Sequence, residues 1–241
     1  MNIPSPLLQH ISIVLVDTKT PANIGAVARC MMNTGLSRLI LVNPPDHLGS
    51  DAVRLAAGAQ DLLQKAEVYP SLEQAVFDHG LVVGASRHAG RLRKNIRSPR
   101  EMAESSAPLL TRNRVALVFG NEVNGLENSD LALCQEIVSI PASSAFPSLN
   151  LSHAVMIVAY EMFLAVSEQV PVETLLAPAQ DLENLYRHFR KTLMDIQFLD
   201  SEHPDRMMFA LRQILGRARL DSREVSILRG ILREIDRTGK K

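Results

Sequence analysis

No run of apolar residues in this 241-residue chain approaches the roughly 20 that a membrane-spanning helix requires, so no membrane partner is expected. The opening stretch MNIPSPLLQHISIVLVD carries neither a basic n-region nor a small-residue cleavage site, and secretion is not expected either. Cysteine is scarce: Cys30 and Cys134 stand alone, without CxxC spacing or a companion histidine cluster. A disulfide framework and a zinc site are both disfavoured, no metal is implied, and a reducing cytoplasm is the compartment that fits. The fingerprints GxGxxG, P-loop, HExxH and GxSxG are all missing, which weakens a dinucleotide-dependent oxidoreductase reading in particular. Net charge is missing too, since 26 basic residues balance 26 acidic ones. That balance excludes a uniformly positive surface but leaves room for a local basic patch. Internal repeats and low-complexity tracts are absent.

What is present is ordinary globular chemistry, 46% hydrophobic and 22% charged, in a length that suits one or two domains. Between residues 11 and about 170, short apolar runs alternate with helical stretches. Residues 11–16 (ISIVLV), 39–42, 81–83, 115–119 (VALVF) and 137–140 are continuous apolar runs, as parallel strands covered on both faces should be. Helical spacing predicts helices over 24–33, with Asn23 as N-cap and Gly35 just past the end, and over 51–63, 71–77 and 150–166. The expected fold is α/β, with a mostly parallel sheet flanked by helices. Residues 169–180 (QVPVETLLAPAQ) contain two prolines and no period, and form the expected linker. Beyond it, 181–199, 204–215 and 222–236 (with Ser222 as N-cap) predict a small all-helical domain. The division is therefore 1–168, linker 169–180 and 181–241. From Leu176 onward, 13 basic residues face 10 acidic ones. The arginines of this tail, Arg212 and Arg219 among them, read as an RNA-facing surface or as solvated helix faces, the second being the commoner case.

Three stretches carry the chemistry, each directly after a strand-like run, where open α/β sheets place their ligands. Residues 23–29 (NIGAVAR) set Asn23 at a helix mouth and Arg29 almost two turns in, amid apolar neighbours, where an arginine either snorkels or serves a phosphate or carboxylate. Residues 120–126 (GNEVNGL) put Glu122 between glycines that let backbone amides approach a ligand. Residues 140–150 (IPASSAFPSLN) string prolines and serines before Ser148, Leu149 and Asn150 open a long helix. A helix opening of this kind presents free N–H groups. Taken singly, each has a plain structural reading: Asn23, Ser148 and Asn150 as helix caps, Arg29 as a surface arginine, and 120–126 as an ordinary turn.

Together, NxxxxxR, GxExxGL and IPxxxxxxSLNxS, in this order after successive strands, resemble the signature motifs of the SPOUT superfamily of RNA methyltransferases, TrmH type. The likeness covers roughly residues 10–165, and the tail (HPDRMMFALRQILGRARLDSREVSILRGIL) resembles the helical extension of the TrmJ branch, which methylates tRNA. The resemblance implies a trefoil-knotted α/β fold and an obligate homodimer with its active site at the subunit interface. S-adenosylmethionine is then expected against Ala85, Ser86, Arg87, Gly120, Ile140, Pro147, Ser148 and Leu149, mostly through backbone groups. Asn23, Arg29, Glu122, Ser148 and Asn150 are implied as the catalytic constellation.

The activity so implied is 2′-O-methylation of a tRNA ribose, most naturally at nucleotide 32 (cytidine or uridine) of the anticodon loop. Ribosomal RNA as substrate, or a catalytically inactive knotted RNA-binding protein, are the alternatives, though a mere binder need not keep these side chains. Because a guanidinium is essentially always protonated, Arg29 is expected to hold a substrate phosphate and stabilise the emerging oxyanion rather than act as base. The most basic stretch, residues 87–100 (RHAGRLRKNIRSPR), is a candidate phosphate contact.

Overall fold

The computed structural model describes residues 5–87, 96–167, 175–199 and 203–238. Most of the basic stretch 87–100 therefore lies outside the described residues, as does the first half of the linker. Seven strands make one sheet: β1 (Ile11–Val16), β2 (Arg38–Val42), β3 (Glu67–Tyr69), β4 (Leu81–Ala85), β5 (Ile96–Arg97), β6 (Val115–Phe119) and β7 (Glu136–Val138). Their order is β3-β2-β1-β6-β4-β7-β5, and every pairing is parallel.

Strand periodicity divides the apolar side chains between two layers. Ile11, Ile13, Leu15, Leu39, Leu41, Val115 and Leu117 point into one core. Val14, Val16, Ile40, Val42, Ala116 and Val118 point into the other. The first face is covered by α1 (Pro21–Asn33), α2 (Ser50–Ala56), α3 (Gln60–Gln64), α5 (Pro99–Ser106) and α7 (Leu151–Ser167). The short helices α4 (Leu72–Ala75) and α6 (Asn128–Leu133) cover the second. The tail holds α8 (Ala179–Asp195), α9 (Pro204–Ala218) and α10 (Ser222–Thr238), with its own core around Leu185, Tyr186, Val225 and Leu232.

Several expectations are corrected. The stretch 51–63 is two helices, because Ala57 (φ 41°) and Gly58 (φ 99°) turn left-handed between α2 and α3. Asn23 is not the N-cap of α1: the cap is Thr20, Pro21 opens the helix, and Asn23 stands in the first turn with its N–H on the Thr20 carbonyl (3.0 Å). Ser222 is likewise inside its helix, and the cap is Asp221, whose Oδ1 accepts from Glu224 N (2.7 Å) while Glu224 Oε2 accepts from Asp221 N (2.9 Å). Strands β3 and β5 carry too few apolar residues to announce themselves.

The edge of the sheet where strands begin is closed by charge. Arg38 pairs with Glu67 (2.8 Å) and lies 3.6 Å from Asp78, which also pairs with Arg114. A hydrogen bond to His79, opposed by burial and aided by the His79, Arg38 and Arg114 charges, holds the Asp78 carboxyl far below the usual carboxylate range. Buried His79 also meets Ser12 Oγ at 2.8 Å. These charges offset one another at the edge opposite the motif segments.

Helix α1 crosses α2 so closely at Gly25 that a Cβ there would stand 2.0 Å from the Ala52 carbonyl oxygen. Helix propensity alone favours Gly25→Ala by about 1 kcal/mol. Overpacking against backbone that cannot swing aside costs about 1–3 kcal/mol or more, so the substitution should lower stability. Urea denaturation checks the sign.

Candidate active site

At the edge where strands end, segments 120–126 and 140–150 line one cavity of about 180 Å³, and segment 23–29 stands beside it, joined through the bond from Asn23 to Glu122. Its wall includes Ala85, Ser86 and Arg87 after β4, Gly120 and Glu122 after β6, Ile140 after β7, and Pro147, Ser148 and Leu149 before α7. The structure thus gathers all eight residues expected around a cofactor. Val138, Leu151 and Ala154 complete an apolar wall, and Asn121 and Asn124 add polar edge. Asn121 and Asn124 are the asparagines around Glu122 in the second stretch, whereas Val138, Leu151 and Ala154, beside the third, are not singled out from sequence.

Backbone geometry makes the hollow. A Cβ on Gly120 would collide with Gly125 carbonyl carbon at 2.0 Å, so the turn after β6 folds back on itself only with glycine there. Gly125 takes φ 72°, and its N–H reaches the Asn121 carbonyl at 2.9 Å. The Asn121 side chain accepts from Val123 N (3.0 Å) and Asn124 N (2.8 Å), which holds the loop from inside.

Glu122 is the hub. Its carboxylate lies at the N-terminus of α1 and accepts from Lys19 N (2.9 Å), Thr20 N (3.2 Å) and Asn23 Nδ2 (2.7 Å). The Thr20 side chain makes no cap bond, so Glu122, about a hundred residues away, supplies the acceptors and meets the positive end of the helix dipole. Burial pushes its pKa up, but the bonds from Lys19, Asn23, its own backbone amide and Thr20 outweigh that and hold it below 4.5. Asn23 Oδ1 then accepts from Asn150 Nδ2 (3.1 Å), and Asn150 Oδ1 accepts from Ser152 N (2.9 Å) and Ser152 Oγ (2.7 Å). Asn150 also offers its carbonyl to Ala154 N (3.0 Å), so it both caps α7 and closes the polar chain. Ser152, the closing serine of the third motif, is what orients Asn150. Cys30 ties α1 to the same point, its thiol 3.5 Å from the Ser152 carbonyl, and burial raises its pKa.

Arg29 stands apart. It is exposed on α1, outside the cavity wall, and makes no hydrogen bond or ion pair among the described residues. Six residues from Asn23, it lies about 9 Å further along the axis and on another face of α1. Ser148 is in the wall but does not cap α7. Among the described residues, no cluster of His, Cys, Asp and Glu has metal-holding geometry, and no helix is long and apolar enough to cross a membrane.

Residues 10–160 match the SpoU rRNA Methylase family. The chain belongs to that family. Residues 180–241 of this SpoU methylase match the C-terminal domain of the tRNA methyltransferase TrmJ. It is 40% identical to the tRNA (cytidine/uridine/adenosine-2′-O-)-methyltransferase TrmJ of Pseudomonas aeruginosa, over 97% of this chain and 96% of that one. It is 41% identical to the tRNA (cytidine/uridine-2′-O-)-methyltransferase TrmJ of Escherichia coli, over 97% and 98%. The crystal structure of TrmJ from Z. mobilis ZM4 superposes with a TM-score of 0.80 at 31% identity, covering 93% of this chain and 98% of that one.

The depressed Glu122 pKa fixes a pH dependence. A carboxylate whose folded pKa lies below its unfolded value stabilises the fold above about pH 4.3, and that contribution is lost as pH falls through the folded value. Glu122→Gln should therefore lower the thermal midpoint at neutral pH, by the loss of charge-assisted bonds of about 1–2 kcal/mol before solvent screening. The gap from wild type should close below pH 4 on roughly the scale of the carboxylate titration. Thermal melts of both proteins across that range give the comparison.

Proposed function

We propose that this chain transfers the methyl group of S-adenosylmethionine to the 2′-hydroxyl of a tRNA ribose, at nucleotide 32 (cytidine or uridine) of the anticodon loop. The observation that carries this reading is the Glu122–Asn23–Asn150 hydrogen-bond chain at the cavity rim, which joins the three motifs through side chains that packing alone does not require. The TrmJ-type tail and the TrmJ relatives, named as tRNA 2′-O-methyltransferases, favour tRNA over ribosomal RNA.

The cavity suits the cofactor chemically. Val138, Ile140, Leu149 and Leu151 offer a flat apolar wall for an adenine, and the Cβ-free approach at Gly120 lets backbone groups reach a ligand. Arg87 supplies a cation for a carboxylate. When bound, S-adenosylmethionine supplies an electrophilic methyl group on a sulfonium.

The chain's residues have the remaining work. A ribose hydroxyl attacks only as it loses its proton, and the permanently protonated Arg29 guanidinium does not take it. Arg29 instead holds a substrate phosphate and stabilises the growing negative charge, while water or that phosphate accepts the proton. Glu122, Asn23 and Asn150 set the geometry of the rim, and Ser148 stands in the wall that faces ribose and cofactor.

A homodimer fits this assignment, because Arg29 lies outside its own chain's cavity and a second copy is needed to complete the site. Helix α7 is apolar nearly all round and leaves Ile157, Tyr160 and Leu164 exposed at helical spacing, with Met32 of α1 (55% exposed) also uncovered. The placement of β6 between β1 and β4 is compatible with the implied trefoil knot. We assign residues 1–168 to the methyltransferase domain, 169–180 to the linker and 181–241 to the helical domain, which has its own core. The cytoplasm is the compartment where such a substrate is found.

Tritiated S-adenosylmethionine and bulk tRNA from a strain lacking its own such enzyme test the proposal, with the label mapped by nuclease digestion and mass spectrometry. Label on an anticodon-loop ribose is expected. Cofactor binding without tRNA label would move the substrate to ribosomal RNA, and no binding would remove the enzyme reading. Arg29→Ala should abolish turnover, by at least about a hundredfold for a lost oxyanion contact, with cofactor affinity nearly intact. An equal loss of cofactor affinity would overturn the role given to Arg29.

A further inference from the structure

The tail does not hang from the α/β domain by its linker. One face of α9 is seated on the segment that joins α6 to β7. Arg212, Gly216 and Arg219 recur at helical spacing on that face. Arg212 Nη1 donates to the Ala132 carbonyl (3.3 Å), and a Cβ on Gly216 would lie 3.4 Å from the Gln135 carbonyl oxygen.

Arg219 reaches furthest. Its Nε and Nη2 donate to Glu136 Oε1 at 2.9 and 2.5 Å, its Nη1 to the Ser105 carbonyl at 2.9 Å, and its Nη2 to Ser105 Oγ at 3.2 Å. Glu136 is 1% exposed, and its Oε2 lies 3.2 Å from Arg97 Nε. Arg219 ends α9 in the left-handed region at φ 50°, and from there its guanidinium spans Glu136 and Ser105.

Glu136 is the first residue of β7, two residues before Val138 on the cavity wall and four before Ile140. Arg97 closes β5, its carbonyl accepts from Ser139 N (2.9 Å), and the Val138 carbonyl accepts from Ser86 N (3.0 Å). Fixing Glu136 therefore fixes the strand end against which Ser86, Val138 and Ile140 form the cavity.

We propose that Arg219 is a positioning residue for the cofactor cavity: from the tail, through Glu136, it holds β7 and β5 in the register that shapes the wall. This rests on reading the cavity as the S-adenosylmethionine site. The consequence is that a residue of the helical domain, far along the chain from every motif, sets cofactor affinity with no RNA present.

The test is calorimetric titration of S-adenosylmethionine into the full-length protein, without tRNA. Arg219→Ala should weaken binding by about tenfold, within the range usual for coupled sites. Arg219→Lys keeps the charge but not the fork, and should recover part of that loss. Leu185→Ala, which empties the tail core without touching Glu136, should lower the thermal midpoint and leave affinity at the wild-type value. Wild-type affinity in a folded Arg219→Ala protein would overturn the proposal and leave Arg219 a structural clamp. If that variant fails to fold, wild-type affinity in Arg219→Lys does the same. Absence of binding by the wild-type protein would instead remove the cofactor reading itself, and this inference with it.

Discussion

The sheet edge that carries the cavity depends on a carboxylate placed where a helix needs one. Helix α1 begins without a side-chain cap of its own, and Glu122 arrives from the turn after β6 to accept from Lys19 N and Thr20 N, the amides just before the first turn. One group thereby does three things. It locks the start of α1 against the turn after β6, keeps itself ionised despite burial, and orients Asn23 toward Asn150. The long helix α7 is tied in by the last of these bonds. A neutral amide in place of the carboxylate retains the shape but offers one acceptor oxygen where three donors converge.

The architecture of the α/β domain was legible because its central strands are buried on both faces and so read as unbroken apolar runs. Ile11–Val16 and Val115–Phe119 match the residues expected. Edge strands are different: Glu67–Tyr69 and Ile96–Arg97 owe their extended form to a neighbour's hydrogen bonds, which no local pattern announces. The break at Ala57 was hidden for a related reason, since alanine is the last residue to suggest a left-handed turn. At the site, Glu122, Asn23 and Asn150 could be named from motif spacing, but their connection could not. The capping of α1 by a residue a hundred positions away is a tertiary fact, and it displaced the local reading of Asn23 as cap.

The tail illustrates the limit of composition. Its arginines looked alike in the sequence, as solvated charge or RNA-facing surface, yet they divide sharply by environment. Arg212 stacks over the Tyr186 ring at 4.3 Å and pairs with Glu183, and Arg219 is sunk against Glu136. Arg206, Arg217, Arg223 and Arg233 remain exposed. Neither local reading suits the inward pair. An acid of the tail itself, Glu183, holds Arg212, whereas a buried acid on the far domain turns Arg219 inward, and that acid, Glu136, sits in a strand too short to stand out.

The position of β6 in the middle of the sheet governs how the molecule comes into being. Strands β1, β2 and β3 are neighbours in sequence and can pair as soon as they leave the ribosome. The other edge of β1 must wait for Val115–Phe119, some hundred residues later, and β4 waits for the same strand. Closing so long a loop before any pairing rewards it makes for slow folding. Until then β1 presents an open edge, apolar but for Ser12, the kind of surface on which chains aggregate. The strand that carries Glu122 to the cavity is thus also the one whose late arrival ends the chain's most vulnerable interval.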